Sequence, residues 1–529
     1  GELLRASGNL DINVADFFSV NGGFAFEKAS EQITLDDGSQ VSVDLITLGA
    51  EGVNAFAGLN AGTDEALGFA LEDVDLALAL MSDQADSTRQ WHSLKADAGS
   101  AGFLGGGDDL VIEASTLEVV INQAGSDGSL VDYAAQALTV AIGPDESLQF
   151  DMDAAAGELL QASGELNVNI ANFFSVSGGF ALLKSSRQMT LSDGAQVDTD
   201  LLTLGANDAA AFVGVNGGSE DATGFELSGV DLAVALITDQ NDGARQWASV
   251  QAEADSAAFV GVEDLTIGGD TMSVSLNLAS NDGVVVDYAA QSLEVSTGPD
   301  SSITLTMDGS DGELLRASGN LDINVADFFS VNGGFAFEKA SEQITLDDGS
   351  QVSVDLITLG AEGVNAFAGL NAGTDEALGF ALEDVDLALA LMSDQADSTR
   401  QWHSLKADAG SAGFLGGGDD LVIEASTLEV VINQAGSDGS LVDYAAQALT
   451  VAIGPDESLQ FDMDAAAGEL LQASGELNVN IANFFSVSGG FALLKSSRQM
   501  TLSDGAQVDT DLLTLGANDA AAFVGVNGG

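Results

Sequence analysis

Paired acidic residues beside glycines are the groups in this chain best placed to do chemistry. Asp36 and Asp37 precede Gly38, Asp127 precedes Gly128 with Asp132 following, and Asp282 precedes Gly283 with Asp287 following. Asp151 with Asp153 and Asp308 with Asp311 repeat the theme. Oxygen-only clusters of this kind suit Ca²⁺, which takes six to eight oxygens from carboxylates, carbonyls and water. Asp36, Asp37, Asp127, Asp132, Asp282 and Asp287 are therefore the candidate calcium ligands. The same residues are also what a β-turn requires, because an Asp side chain bonds the backbone just after it. The turn reading is preferred, with Ca²⁺ as the one cofactor the composition invites.

The other reactive types are scarce. His92 has Ala248 at the corresponding place in the second repeat described below, so it reads as a partly buried strand residue rather than a base or ligand. Arg89-Gln90-Trp91 recurs as Arg245-Gln246-Trp247. A Trp beside an Arg could stack on a sugar or another chain, but a core Trp anchoring a strand is the simpler expectation. Tyr133 and Tyr288 read as packing residues with bonded hydroxyls. There is no Cys, hence no disulfide, thiolate site or cysteine nucleophile. Gly105-Gly106-Gly107-Asp108-Asp109-Leu110 becomes Gly261-Val262-Glu263-Asp264-Leu265, which does not keep a calcium nonapeptide. Gly22-Gly23 and Gly178-Gly179 open no helix, so they cradle no phosphate. No catalytic or cofactor-binding residue is assigned, and the chain reads as non-enzymatic.

Charge narrows the partners. Lys and Arg number 13 against 83 Asp and Glu, a formal net charge of −70 over 529 residues. Nucleic acid and anionic membrane surfaces, both polyanionic, are excluded as electrostatic partners. Hydrophobic residues still make up 46%, enough for a large core. No apolar run approaches the 18 or so residues of a membrane helix.

The elements that must position these residues come in repeats. Residues 312–529 copy residues 1–218 letter for letter, and Gly1-Glu2-Leu3-Leu4-Arg5-Ala6-Ser7-Gly8 returns, diverged, at Gly157-Glu158-Leu159-Leu160-Gln161-Ala162-Ser163-Gly164. The array is repeat A (1–156), repeat B (157–311), a copy of A (312–467) and a partial B (468–529). Where A and B differ, apolar exchanges for apolar and polar for polar: Ile12/Val168, Val14/Ile170, Asp11/Asn167, Asp16/Asn172. Alternation with period two marks strands: Leu10, Ile12 and Val14; Leu76, Leu78 and Leu80; Leu148, Phe150 and Met152. These apolar sets are assigned to the core, so Ile12→Asp is expected to cost several kcal/mol. Asp-Gly turns separate the runs, giving about ten to twelve strands of ordinary length per repeat. Ala206–Ala211 and Asp153–Glu158 could each hold a short helical turn.

The junction Asp151–Leu160 has no linker composition. The expected fold is therefore all-β: an elongated tandem-repeat array of mainly antiparallel strands in a solenoid-like or tubular continuous sheet. A string of β-sandwich domains is the alternative. The start at Gly1 and the stop at Gly529 read as a window on a longer array.

Long acidic repeats without Cys resemble the giant tandem-repeat surface and adhesin-type proteins of Gram-negative bacteria, in the style of RTX-type repeat regions. The strings that carry this likeness are Phe17-Phe18-Ser19-Val20-Asn21-Gly22-Gly23-Phe24, Val53-Asn54-Ala55-Phe56-Ala57-Gly58 and Val131-Asp132-Tyr133-Ala134-Ala135-Gln136. The resemblance implies secretion, an extracellular or cell-surface location, and a role as fibre, filament or adhesin stalk. Partners would be neighbouring repeats, other copies in a filament and an adhesion target. The alternative is a lipid-carrying β-groove or tube with an apolar lumen.

Overall fold

In a computed structural model the protein is all-β; the structure describes residues 3–14, 18–60, 63, 65–106, 110–326 and 328–525. Asp16, Phe17 and the Gly107-Asp108-Asp109 stretch lie outside them. Repeat A supplies Leu4–Val14 (β1), Phe18–Thr34 (β2), Gln40–Leu59 (β3), Leu67–Asp83 (β4), Gln90–Leu104 (β5), Leu110–Gln123 (β6), Leu138–Ala141 (β7) and Ser147–Phe150 (β8). Repeat B supplies Leu159–Ile170 (β9), Phe174–Thr190 (β10), Gln196–Val215 (β11), Thr223–Asp239 (β12), Gln246–Val260 (β13), Leu265–Leu278 (β14), Leu293–Ser296 (β15) and Ser302–Leu305 (β16). The copy of A supplies Leu314–Val325 (β17), Phe329–Thr345 (β18), Gln351–Leu370 (β19), Leu378–Asp394 (β20), Gln401–Leu415 (β21), Leu421–Gln434 (β22), Leu449–Ala452 (β23) and Ser458–Phe461 (β24). Leu470–Ile481 (β25), Phe485–Thr501 (β26) and Gln507–Val524 (β27) belong to the partial B.

The chain divides into two compact units, residues 1–253 with 277–310, and residues 254–276 with 311–529. In the first, β1 to β6 pair antiparallel in chain order, and β6 then pairs with β9, which pairs with β10, and so on to β12. The ladder thus crosses the A/B boundary directly, from Leu110 opposite Ile170 to Asn122 opposite Leu159. In the second unit β22 pairs with β25 in the same way. Also in that unit, Ser273 and Ser318 share a 2.9 Å hydroxyl hydrogen bond, and Asn320 Nδ2 donates to Asp270 Oδ1 at 2.7 Å. A continuous sheet, rather than beads on linkers, is the architecture within each unit.

The strands are fewer and longer than their alternation suggests: β2 runs 17 residues and β3 20. Bulges explain this, because they break the period of two without ending the strand. The β3–β4 register slips between Ala50, Val53 and Ala55, and the freed Gly52 N–H is held by Asp75 Oδ1 at 2.7 Å. Ala206–Ala211, expected as a helical turn, lies inside β11 at the corresponding bulge, where the Asp208 N–H donates to Asp231 Oδ1 at 2.8 Å. The other expected turn is present: Ala154–Ala156 is a 3₁₀ turn capped by Asp153.

Register sorts the side chains onto two faces. One, the front, carries Val43, Leu45, Ala77, Ala79, Met81, Trp91 and Val120 over the lower half of the strands. The segment between β6 and β9, including the β7–β8 hairpin, folds over this half and closes a core with its own Val131, Tyr133, Val140, Ile142, Phe150 and Met152. The repeat-A copy builds the same core around Trp402. Seating is by close approach. A Cβ on Gly49 would lie 2.1 Å from the Ala141 carbonyl oxygen, and Gly205 and Gly360 stand in the same relation to Ser296 and Ala452.

The other face, the back, carries Leu76, Leu78 and Leu80, then Val74, Leu71, Phe69 and Leu67 above the bulge. The core assignment made from alternation is therefore reversed here. Ala77 and Ala79 are 0% exposed, whereas Ile12 is 44% and Phe69 62% exposed. Leu148, Phe150 and Met152 do face the core as expected. Burial of Met81 and exposure of Ile12 predict opposite sensitivities. Met81→Ala should cost about 2–5 kcal/mol and Ile12→Asp about 1 kcal/mol or less, as read by urea denaturation; equal costs would contradict the assignment of faces.

Candidate functional site

The acidic residues singled out above all sit at the lower end of the sheet, in its turns and in the covering segment. Gly38 closes the β2–β3 turn with φ 78°, a left-handed conformation, and its N–H donates to the Leu35 carbonyl at 2.9 Å. Asp37 Oδ1 accepts from Ser39 N at 2.7 Å. Asp36 Oδ1 accepts from Leu130 N at 3.2 Å, tying this turn to the covering segment. Asp132 accepts from Ala135 N, and Asp287 from Ala290 N, each at 3.0 Å. Each carboxylate is thus engaged by backbone, and among the described residues no group of three or more His, Asp or Glu is arranged to hold a metal ion.

Asp127 and Asp282 occupy equivalent places and do something more. Arg89 reaches Asp127 Oδ2 at 2.8 Å and buried Asp83 Oδ2 at 3.2 Å. Its guanidinium lies 5.0 Å from the centroid of the Trp91 ring, and Trp91 Nε1 donates to the Ser129 carbonyl at 3.0 Å. Arg245 repeats this with Asp282 at 2.9 Å, Asp239 at 3.2 Å and Trp247 at 5.1 Å; Arg400 repeats it with Asp438, Asp394 and Trp402. The Arg–Trp pair is therefore spent within the fold, and Trp91 is a fully buried anchor. Sequence reading missed Asp83, the buried partner; its one signal is an Asp six residues before Arg in both repeats.

Behind this node runs a buried polar chain. Tyr133 OH donates to Ser93 Oγ at 2.7 Å, Ser93 Oγ to Asn122 Oδ1 at 3.1 Å, and Asn122 Nδ2 to the Val131 carbonyl at 2.9 Å. Tyr288–Ser249–Asn277 and Tyr444–Ser404–Asn433 reproduce it. Every member is buried and satisfied, so the chain fixes the covering segment on the sheet. His92, expected to be partly buried, is instead exposed on the back face, with Nδ1 3.4 Å from Gln123 Oε1.

Above the covered half, the front face is open. A groove of about 710 Å³ crosses the A/B boundary there, lined by Glu72, Ser100, Gly102, Glu113, Ser115 and Glu165 among others. A smaller one, about 370 Å³, recurs in the second unit beside Glu383, Ser411 and Glu476. Its polar groups bond one another: Ser411 Oγ donates to Glu383 Oε2 at 2.9 Å. The described lining offers carboxylates, hydroxyls and amides, without His, Lys or Arg.

No family model and no curated protein matches the chain. Among solved structures it is similar to the siderophore receptor PirA from Pseudomonas aeruginosa, at 11% identity and a TM-score of 0.19 over 99% of this chain and 77% of that one. The copper transporter OprC matches at 10% identity and TM-score 0.21, over 97% and 78% of the two chains. The ferric-catecholate import receptor Fiu from E. coli K12 matches at 10% identity and TM-score 0.21, over 97% and 79%.

Two measurements follow from the turn node and the buried chain. Arg89→Ala strands the buried Asp83 carboxylate and should cost about 3–5 kcal/mol, whereas Asp127→Asn, on the exposed side of the same guanidinium, should cost under about 1 kcal/mol; similar losses in thermal unfolding would contradict the division. Stability should also fall at both pH extremes. Hydrogen bonds from Ser39, Ser129 and Ser280 hold Asp37, Asp127 and Asp282 below the ordinary carboxylate value. Their contribution is present above about pH 4 and is lost as pH falls below it. Burial raises all three tyrosines, Tyr288 to about 12 against the opposing Ser249 hydrogen bond. Their contribution is full below about pH 10 and is lost as pH rises toward the folded value. Tyrosinate absorbance should therefore rise only together with unfolding; early titration at pH 10 in the folded chain would show the phenols to be accessible.

Proposed function

We propose that the chain is a non-enzymatic structural segment, a repeat array that extends a secreted protein at the bacterial cell surface as a fibre, filament or adhesin stalk. The observation that supports this most is the ladder across the repeat boundary. β9 is at once the first strand of repeat B and the next rung after β6 of repeat A. A repeat built this way cannot finish its sheet alone, and each added copy extends the same ladder. The residues that could have done chemistry support the reading too, because Arg89, Trp91, Tyr133 and the turn aspartates are each committed to holding the covering segment or a turn. The partners that suit this role are neighbouring repeats and further copies of the chain.

Immunogold microscopy of producing cells tests it, with one label in the first repeat and another in the last. The expected result is label outside the cell, with a separation that grows as A–B pairs are added. Label confined to the cytoplasm, or a separation indifferent to repeat number, would contradict the proposal.

A further inference from the structure

The back face is the largest feature that the array reading leaves unused. Along β9 it shows Leu160, Ala162, Gly164, Leu166, Val168 and Ile170, while Gln161, Ser163, Glu165, Asn167 and Asn169 point to the front. Neighbouring strands continue both rows in register, so one side is apolar and the other polar over the same span. Large side chains stand bare there in each repeat: Phe69, Phe225 and Phe380 are 62%, 64% and 63% exposed. A soluble surface does not ordinarily leave such an area uncovered.

The limits of this band are marked by charge. On the back face of β10, Lys184 stands at one end and Phe174 at the other, ten residues apart, with Leu182, Phe180 and Val176 between them. Lys28 and Phe18 bound β2 in the same way, as do Lys339 with Phe329 and Lys495 with Phe485. In each unit two lysines thus fall at one edge of its own back face, at the same register position, and together they are four of the six in the chain. Ten residues of antiparallel strand span about 34 Å, which at a tilt of about 45° is a height of roughly 24 Å. A strand of 9–11 residues at that tilt crosses a bilayer, and the apolar belt of membrane sheets is about 25 Å tall. Lysines at the rim suit lipid phosphates, their stems lying along hydrocarbon and their amines reaching the headgroups. A partner sheet of ordinary 5–6-residue strands would cover only about half of this length.

We propose that the back face is built to lie against the hydrocarbon of a phospholipid bilayer, with the lysine row at the headgroups and the polar front face turned to water. This does not rest on the stalk reading, since it concerns one face of the sheet and not what the repeats extend. Nor does it need anionic lipid, because apolar burial supplies the attraction.

The absence of Cys lets single cysteines carry a polarity-sensitive fluorophore at positions 165 to 168 of the full chain. The labelled proteins are mixed with phosphatidylcholine vesicles bearing a nitroxide on the acyl chain and then floated. The expected result is flotation, with emission lost at Leu166→Cys and Val168→Cys and retained at Glu165→Cys and Asn167→Cys. Val168→Arg, at an exposed-face position, should weaken partition at least about thirtyfold. Circular dichroism unchanged from the parent would show that the variant still folds. Three results would overturn the proposal. The first is a chain that stays at the bottom of the gradient with all four labels wet. The second is shielding of labels 166 and 168 without vesicles in a particle of doubled mass, which would mean a second copy. The third is the same shielding without vesicles in a single chain that yields extractable phospholipid, which would mean a soluble carrier.

Discussion

Everything in the repeat depends on how closely the segment after β6 can approach the sheet. Its backbone lies against Gly49, where a methyl group would sit 2.1 Å from the Ala141 carbonyl oxygen. Beside that contact the sheet offers Ala77 and Ala79, both 0% exposed. Small residues on the sheet let large ones on the cover, Tyr133, Phe150 and Met152, reach down among Trp91 and Met81. Core packing at this density leaves no room to shift. The direction of the segment is fixed by polar pairing, because the Tyr133–Ser93–Asn122 chain would leave buried groups unsatisfied in any other seating.

The covered half also explains why the repeats join as they do. Leu159, the first residue of β9, packs against the core of repeat A although it belongs by sequence to repeat B. The covering segment therefore delivers the chain to the open edge of β6, and the ladder continues without a linker. Divergence between A and B spares this machinery. Trp247, Tyr288, Ser249 and Asn277 keep the geometry of their counterparts, while the exposed His92 becomes Ala248.

Features decided by neighbours in the chain could be read from the sequence. Asp-Gly turns, the capped 3₁₀ turn at Ala154–Ala156 and the all-β class all follow from residues a few positions apart. Trp91 and Tyr133 as packing anchors were also legible, since large aromatic residues repeated among apolar runs belong to cores. Alternation shows that a strand has two kinds of face, but it does not say which face is covered. On β4 the covered face is the alanine one, because the cover comes from 40 or more residues away and needs small partners. Strand length was hidden for a related reason: Gly52 with Asp75, and Asp208 with Asp231, make bulges that imitate strand ends. The Asp83–Arg89 pair escaped notice because an isolated Asp gives no sign that it is buried.

Hydrogen exchange across residues 110–170 tests most directly whether the covering segment and the first strand of the next repeat belong to one cooperative structure. The account predicts slow exchange of the β6 and β9 amides, released together with those of the segment between them in a single opening event. Rapid exchange from residues 124 to 170 while β2 to β5 stay protected would make the junction a flexible linker, and would contradict it.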